Sequence, residues 1–171
     1  TWVRATGTTN WSYTSPVWDG NRDYTVQVRA YDKAGNFTTS SIVSFKYDST
    51  APVCGIIEPN APYESSLPTI TGTALDINPG NGVFSGLQKV QVSISEGVNY
   101  WDQDVNNFTP GEKWWDATGT TNWQWQDNDL IWDDGVTYKV RARAYDKSSN
   151  SSEVVEYNFT YDATNPAAEV T

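Results

Sequence analysis

Apolar and polar residues alternate with a period of two along several stretches of this chain. Tyr138, Val140, Ala142 and Ala144 fall on one face of a run whose other face carries Lys139, Arg141 and Arg143. Further on, Val155, Tyr157, Phe159 and Tyr161 alternate with Glu156, Asn158 and Thr160. The stretches 69–74 and 89–95 repeat the pattern, and Trp123 shares a face with Trp125 as Trp11 does with Tyr13. This is the signature of half-buried strands, and no segment has a helical period. The spacing predicts an all-β chain with strands near 53–58, 69–75, 87–96, 113–117, 122–126, 136–145 and 154–161. Seven short antiparallel strands in one stretch of this length predict an immunoglobulin-like (fibronectin III/cadherin-like) β-sandwich, with Tyr24 and Tyr138 placed for a tyrosine corner.

The pattern occurs twice. "ATGTTNW" at Ala5–Trp11 returns unchanged at Ala117–Trp123, and "YTVQVRAYDKAGN" from Tyr24 lies over "YKVRARAYDKSSN" from Tyr138. "FKYDSTAP" (Phe45–Pro52) then matches "FTYDATNP" (Phe159–Pro166). Self-similarity of this kind indicates a tandem architecture, with one whole domain as the period. The expected division is 1–50 as the last four strands of one repeat, 51–165 as a complete repeat, and 166–171 as the start of another. Lacking three strands, the first unit calls for partners: neighbouring repeats of the same chain, or of identical chains. Completion by strands from a neighbouring chain, as in a donor-strand polymer, is the alternative, although the C-terminal tail supplies only part of one strand.

The motif Tyr-x-Val-x-x-Arg-Ala-Tyr-Asp-Lys-x-x-Asn, followed by a strand and then Tyr-Asp-x-Thr-x-Pro, resembles the repeat of bacterial immunoglobulin-like surface proteins. "GTALD" (Gly72–Asp76) and "SGLQKVQVSI" (Ser85–Ile94) resemble the second and third strands of such repeats, and the likeness covers essentially the whole chain. "SSN" at Ser148–Asn150 departs from the "AGN" of the first copy. The resemblance implies extracellular stalks, adhesins and surface layers, mostly without catalysis. The function it leads us to expect is a structural or adhesive segment of a cell-surface or extracellular filament protein.

Composition narrows the chemistry. There is no His, no Met and one Cys, Cys54. Ser-His-Asp and Cys-His catalysis are therefore excluded, as are Cys/His zinc sites and an intrachain disulfide. Cys54 reads as a small buried apolar residue. The formal charge of −10 repels phosphate backbones, so nucleic acid is not an expected partner. No apolar run is long enough to span a membrane and no signal peptide is evident; without Met, residue 1 reads as the start of a mature product or of a window cut from a longer chain.

Three sets of residues remain as candidate sites. Sandwich topology brings linker Asp48 to the end carrying Asp76, Asp146 and Asn150, a hard-oxygen set suited to Ca²⁺ at a domain junction. No loop follows the EF-hand spacing, and Asp and Asn in turns commonly cap their own backbone. Trp2/Trp114, Trp11/Trp123 and Trp18/Trp132 recur between copies and read as inward-facing core. Trp101 and Trp115 do not recur. The favoured reading packs them against the 97–112 loop; the alternative is an exposed aromatic-acidic patch that would stack surface glycans. The sequons at Asn10, Asn36, Asn107, Asn150 and Asn158 are candidate N-glycosylation acceptors. The acid pairs Asp102/Asp104, Asp127/Asp129 and Asp133/Asp134 are candidates for a glycosidase pair; adjacent carboxylates in polar loops are usually solvated, and no enzyme is expected.

Overall fold

A computed structural model describes residues 1–168 except Ser15, Pro16, Pro79 and Asn81. The expected start of a further strand at 166–171 thus lies partly outside the described residues. No described residue is helical, and no helix is long and apolar enough to cross a membrane.

Residues 1–50 form only short pairings. Strands β1 (Thr6–Gly7) and β2 (Trp11–Ser12) make one hairpin. β3 (Arg22–Val26) pairs with β6 (Val43–Tyr47), and β4 (Arg29–Tyr31) pairs with β5 (Phe37–Thr39).

The following strands are β7 (Val53–Glu58), β8 (Tyr63–Glu64), β9 (Ile70–Leu75), β10 (Leu87–Glu96), β11 (Asn99–Asp102) and β12 (Asn107–Pro110). They are succeeded by β13 (Trp115–Asp116), β14 (Thr118–Gly119), β15 (Asn122–Trp125), β16 (Thr137–Asp146) and β17 (Val155–Tyr161). One sheet runs β14-β15-β9-β7 and the other β12-β11-β10-β16-β17-β8, with β13 also on β10. This is an immunoglobulin-like sandwich, with β8 joining the edge strand β17 in parallel.

The core lies between the two sheets and consists of the residues that alternation places inward. Val90, Val92, Ile94, Tyr138, Val140, Ala142, Ala144 and Phe159 are buried from the large sheet, and Ile70, Ala74, Trp123 and Trp125 from the small one. Trp123 faces Gly72 across the β9–β15 pairing. A Cβ on Gly72 would sit 2.2 Å from the Trp123 ring, so only glycine leaves room for the indole. The Tyr138 hydroxyl accepts the Asp133 amide at 2.8 Å, and the Tyr24 hydroxyl donates to the Asp19 carbonyl at 3.1 Å. Both corners are therefore made, five residues upstream of each tyrosine.

Each copy also builds the same aromatic trio. Trp132–Tyr138 and Trp132–Phe159 centroids lie 4.8 and 5.3 Å apart, and Trp18–Tyr24 and Trp18–Phe45 lie 4.6 and 5.1 Å apart. What differs is closure. Trp11 is 48% exposed and its counterpart Trp123 only 2%.

The faces of Trp114 and Trp115 are the reverse of those expected. Val92 points into the core and pairs directly with Trp115 across β10–β13, so Trp115 shares its inward face and packs on the core. Trp114 is left on the outer face, with the Arg143 guanidinium 4.0 Å from its ring centroid. Trp2 and Arg29 repeat that stack at 4.0 Å. The recurring Trp2/Trp114 pair is therefore a cation–π staple on the outside of the sheet, not core.

Candidate functional site

The linker after β6 delivers Asp48 to the end of the sandwich where β9 finishes and β16 turns. Asp48, Asp76 and Asp146 are all buried there, and one carboxylate oxygen from each lies within 4.8 Å of the others. Asp76 follows β9 directly and Asp146 is the last residue of β16, so rigid strands hold both. The topology brings together the set read from the sequence, including Asn150.

Backbone amides and one carboxamide partly solvate this cluster. Asp48 accepts the Ser85 amide through Oδ2 at 2.6 Å and the Thr50 amide through Oδ1 at 3.1 Å. Asp146 accepts the Asn150 amide at 2.8 Å and Asn150 Nδ2 at 2.7 Å. Asn150 Nδ2 also donates to the Asp48 carbonyl at 3.2 Å, tying the turn to the linker. Asp76 Oδ2 accepts the Gly86 amide. Among the described residues, the buried Asp76 Oδ1 has no hydrogen-bond partner.

Among the described residues, no lysine or arginine forms an ion pair with any of the three aspartates. Burial raises the Asp76 pKa; the Asp48 and Asp146 charges add to that, and the Gly86 and Ser85 amides oppose it. Buried carboxylates without a cation are costly and must be compensated. Two oxygens sharing one Ca²⁺ at the usual ligand distances lie at most about 5 Å apart, so the spacing and the orphaned oxygen both fit a hard divalent ion.

The amides of Ser85 and Gly86 were not foreseen, because backbone donors leave no trace in residue type. Gly86 at φ 82° is the one available sign, a turn residue in a left-handed conformation. A clamp on the linker from the preceding strands was missed as well: Asn21 Oδ1 accepts the Ser49 amide at 3.2 Å.

Trp101 and Trp115 do not form a glycan-stacking patch. Trp101 is 3% exposed and donates its indole N–H to Asp127, while the Trp115 indole N–H donates to the Trp101 carbonyl at 3.0 Å. The β11–β12 hairpin provides the packing, with Phe108 5.4 Å from Trp101.

One member of each acid pair is committed to the structure. Asp102 is buried and pairs with Lys113 at 2.8 Å, Asp127 takes Trp101 and Gln103, and Asp134 takes the Ala163 amide and the Thr164 hydroxyl. These three carboxylates are committed to structural partners, which lower the Asp102 and Asp134 pKa values and, at Asp127, outweigh the burial that would raise it, while Asp104, Asp129 and Asp133 are exposed. Cys54 is half-buried on β7, and burial pushes its thiol up to about 11, which leaves it unreactive at neutral pH.

The sequon asparagines divide by environment. Asn10, Asn107 and Asn158 are exposed. The Asn36 and Asn150 carboxamides are held by Asp32 at 2.8 Å and Asp146 at 2.7 Å.

No family model matches the chain, and no curated protein matches it in sequence. Among solved structures, it is similar to fibronectin(III)-like modules of Clostridium thermocellum CbhA at 15% identity, over 88% of this chain and 68% of that one, with a TM-score of 0.44. The two sheets and their strand order establish the fold: an all-β chain with an immunoglobulin-like sandwich.

Proposed function

We propose that this chain is a structural segment of an extracellular, cell-surface or filament protein made of tandem immunoglobulin-like domains. In this reading, residues 1–50 are the last four strands of one repeat and 51–165 the next. A Ca²⁺ ion held by Asp48, Asp76, Asp146 and Asn150 fixes the angle between them. The observation that carries the proposal is the buried Asp76 Oδ1, without a hydrogen-bond partner among the described residues, beside two further buried carboxylates. An ion there neutralises charge contributed by the linker and by two strand ends together, so binding orders the linker. A structural role follows from that coupling, and the expected affinity is ~10⁻⁴–10⁻³ M, the range of extracellular calcium modules.

Calorimetric titration of the chelated chain with Ca²⁺ tests the reading. One ion should bind, with a rise in melting temperature, and Asp76→Asn should abolish both. Absence of binding at millimolar Ca²⁺ would reject the metal junction.

A second reading rests on the open inner face of residues 1–50, where Trp11, Tyr13 and Val26 are exposed. Strands from a neighbouring chain would cover that face in a polymer. The intact mass of the native polypeptide separates the two. A mass well above 19.1 kDa, once glycans are removed, favours one long chain, and a mass of 19.1 kDa favours the polymer.

A further inference from the structure

A cleft of about 300 Å³ opens at the end of the sandwich remote from the aspartate junction. Strand β9 starts there with Ile70 and finishes beside Asp76 at the other end. The volume sits at the lower bound for small-molecule sites. Part of the lining is apolar: Trp125 and Leu130 are buried, and Trp132 is half-buried. These side chains are braced from behind. The Trp132 indole N–H donates to the Leu67 carbonyl at 2.8 Å, and its ring meets Tyr138 and Phe159 edge-on. The Leu130 amide donates to the Asp127 carbonyl at 3.3 Å. A site held in this way loses little freedom when a ligand enters.

The polar lining is neutral and has hydrogen-bonding capacity to spare. Gln126 accepts the Thr69 hydroxyl through Oε1 at 3.5 Å, but among the described residues its Nε2 has no partner. Among those residues the Asn128 carboxamide and the Tyr161 hydroxyl have none either, and all three side chains line the cleft. Asp127 is the one carboxylate among the described lining residues, and no lysine or arginine is among them. Its oxygens are already committed, to the Trp101 indole at 2.8 Å, Gln103 Nε2 at 3.0 Å and the Asp129 amide at 3.0 Å. No charge is left free to select an ion. What the cleft offers is aromatic surface bordered by amide and hydroxyl groups.

From this combination we infer that the cleft is a saccharide site, taking a unit of a neutral glycan. A pyranose ring has the matching chemistry. Its C–H face packs on aromatic surface, and its hydroxyls exchange hydrogen bonds with Gln126, Asn128 and Tyr161. An acidic sugar is disfavoured by Asp127 and by the chain's net charge of −10. The first repeat cannot make the same site. Tyr13, Trp18 and Tyr47 stand at the positions of Trp125, Trp132 and Tyr161, but the wall supplied by 66–70 has no counterpart in 1–50. One site per chain follows. The inference does not depend on the metal junction, and it adds ligand binding to the structural role proposed above.

Calorimetric titration in chelator tests it, with cellotetraose, xylotetraose, mannotetraose and chitotetraose as probes. At least one should bind, one molecule per chain. Adding Ca²⁺ should leave that affinity unchanged, because the aspartates lie at the other end of β9. Gln126→Ala and Asn128→Ala alter exposed side chains, so both variants fold. Each should weaken binding roughly three- to tenfold, the effect of one lost hydrogen bond. Ser66→Trp, also at an exposed lining position, should fill the mouth of the cleft and abolish binding. Failure of all four probes to bind at millimolar concentration would overturn the inference. So would a probe that binds the Gln126→Ala/Asn128→Ala double variant as tightly as the native chain. Binding of octaproline but of no saccharide would assign the cleft to a peptide and overturn it as well.

Discussion

Asp76 is the residue on which the junction turns. Its Oδ2 is held by the Gly86 amide, but among the described residues the buried Oδ1 has no donor, and two further carboxylates lie close by. Desolvation, reinforced by those charges, raises its pKa from the ordinary value near 3.8. In chelator, the folded state therefore holds a proton on Asp76 more firmly than the unfolded state does. The stability this contributes is complete below pH 3.8 and is lost as pH rises through the folded-state value. Asp76→Asn removes that loss. In chelator at pH 7 the variant should melt above the native protein by about 2–4 °C, equivalent to roughly 1 kcal/mol, and the gap should close as the pH falls toward the ordinary carboxylate range. With millimolar Ca²⁺ at pH 7 the order should invert, because only the native carboxylate set holds the ion. A gap independent of both pH and Ca²⁺ would show that Asp76 is not an electrostatically strained ligand.

At the scale of elements, the pairing of β9 with β15 carries the tightest packing constraint. A Cβ on Gly72 would meet the Gly55 carbonyl oxygen at 2.1 Å and two Trp123 ring atoms at 2.2 and 2.5 Å. Trp123 is buried and cannot swing into solvent, so Gly72→Ala should destabilise by ~3 kcal/mol or more, at the upper end of overpacking costs. Chemical denaturation of the variant measures it, and a loss below ~1 kcal/mol would mean that Trp123 has room to shift. The same pairing explains what was legible in the sequence. Long alternating strands such as β10, β16 and β17 announce themselves by period. The β11–β12 hairpin does not, since its short, polar stretches carry too few alternating positions, and the two residues of β8, paired in parallel with β17, are too few to show a period. The acid junction could be read because strand order alone brings Asp48, Asp76 and Asp146 to one end. Trp114 and Trp115 were misread because a match between copies records equivalence without recording which face of the sheet a residue occupies. Register against Val92 decides that, and register is a property of the pairing.

For the whole molecule, the consequence is uneven stability. Residues 51–165 close a core between two sheets, whereas 1–50 fold into hairpins whose inner face stays open. Local opening follows such differences in buried apolar contact, and the trypsin sites sample both regions: Arg4, Arg22, Arg29, Lys33 and Lys46 in the first, and Lys89, Lys113, Lys139, Arg141, Arg143 and Lys147 in the second, three of them on the central strand β16. Both β16 arginines are only partly exposed and stack on Trp114, with guanidinium carbons 5.3 and 4.0 Å from the ring centroid. Limited trypsin digestion should therefore cut within 1–46 first and leave a resistant fragment whose N-terminus is Tyr47 or lies shortly before it. The linker couples this pattern to the junction. Asp48 is seated against Ser85 and Asn150, so an ion that fixes Asp48 also restrains the Lys46–Tyr47 bond two residues away. Millimolar Ca²⁺ should slow that cleavage several-fold and leave cuts at Arg22 and Arg29 unchanged. Equal protection at all of these sites would point to an ion acting on the fold at large, and equal cleavage of both regions would show that the hairpins of 1–50 are as firmly closed as the sandwich.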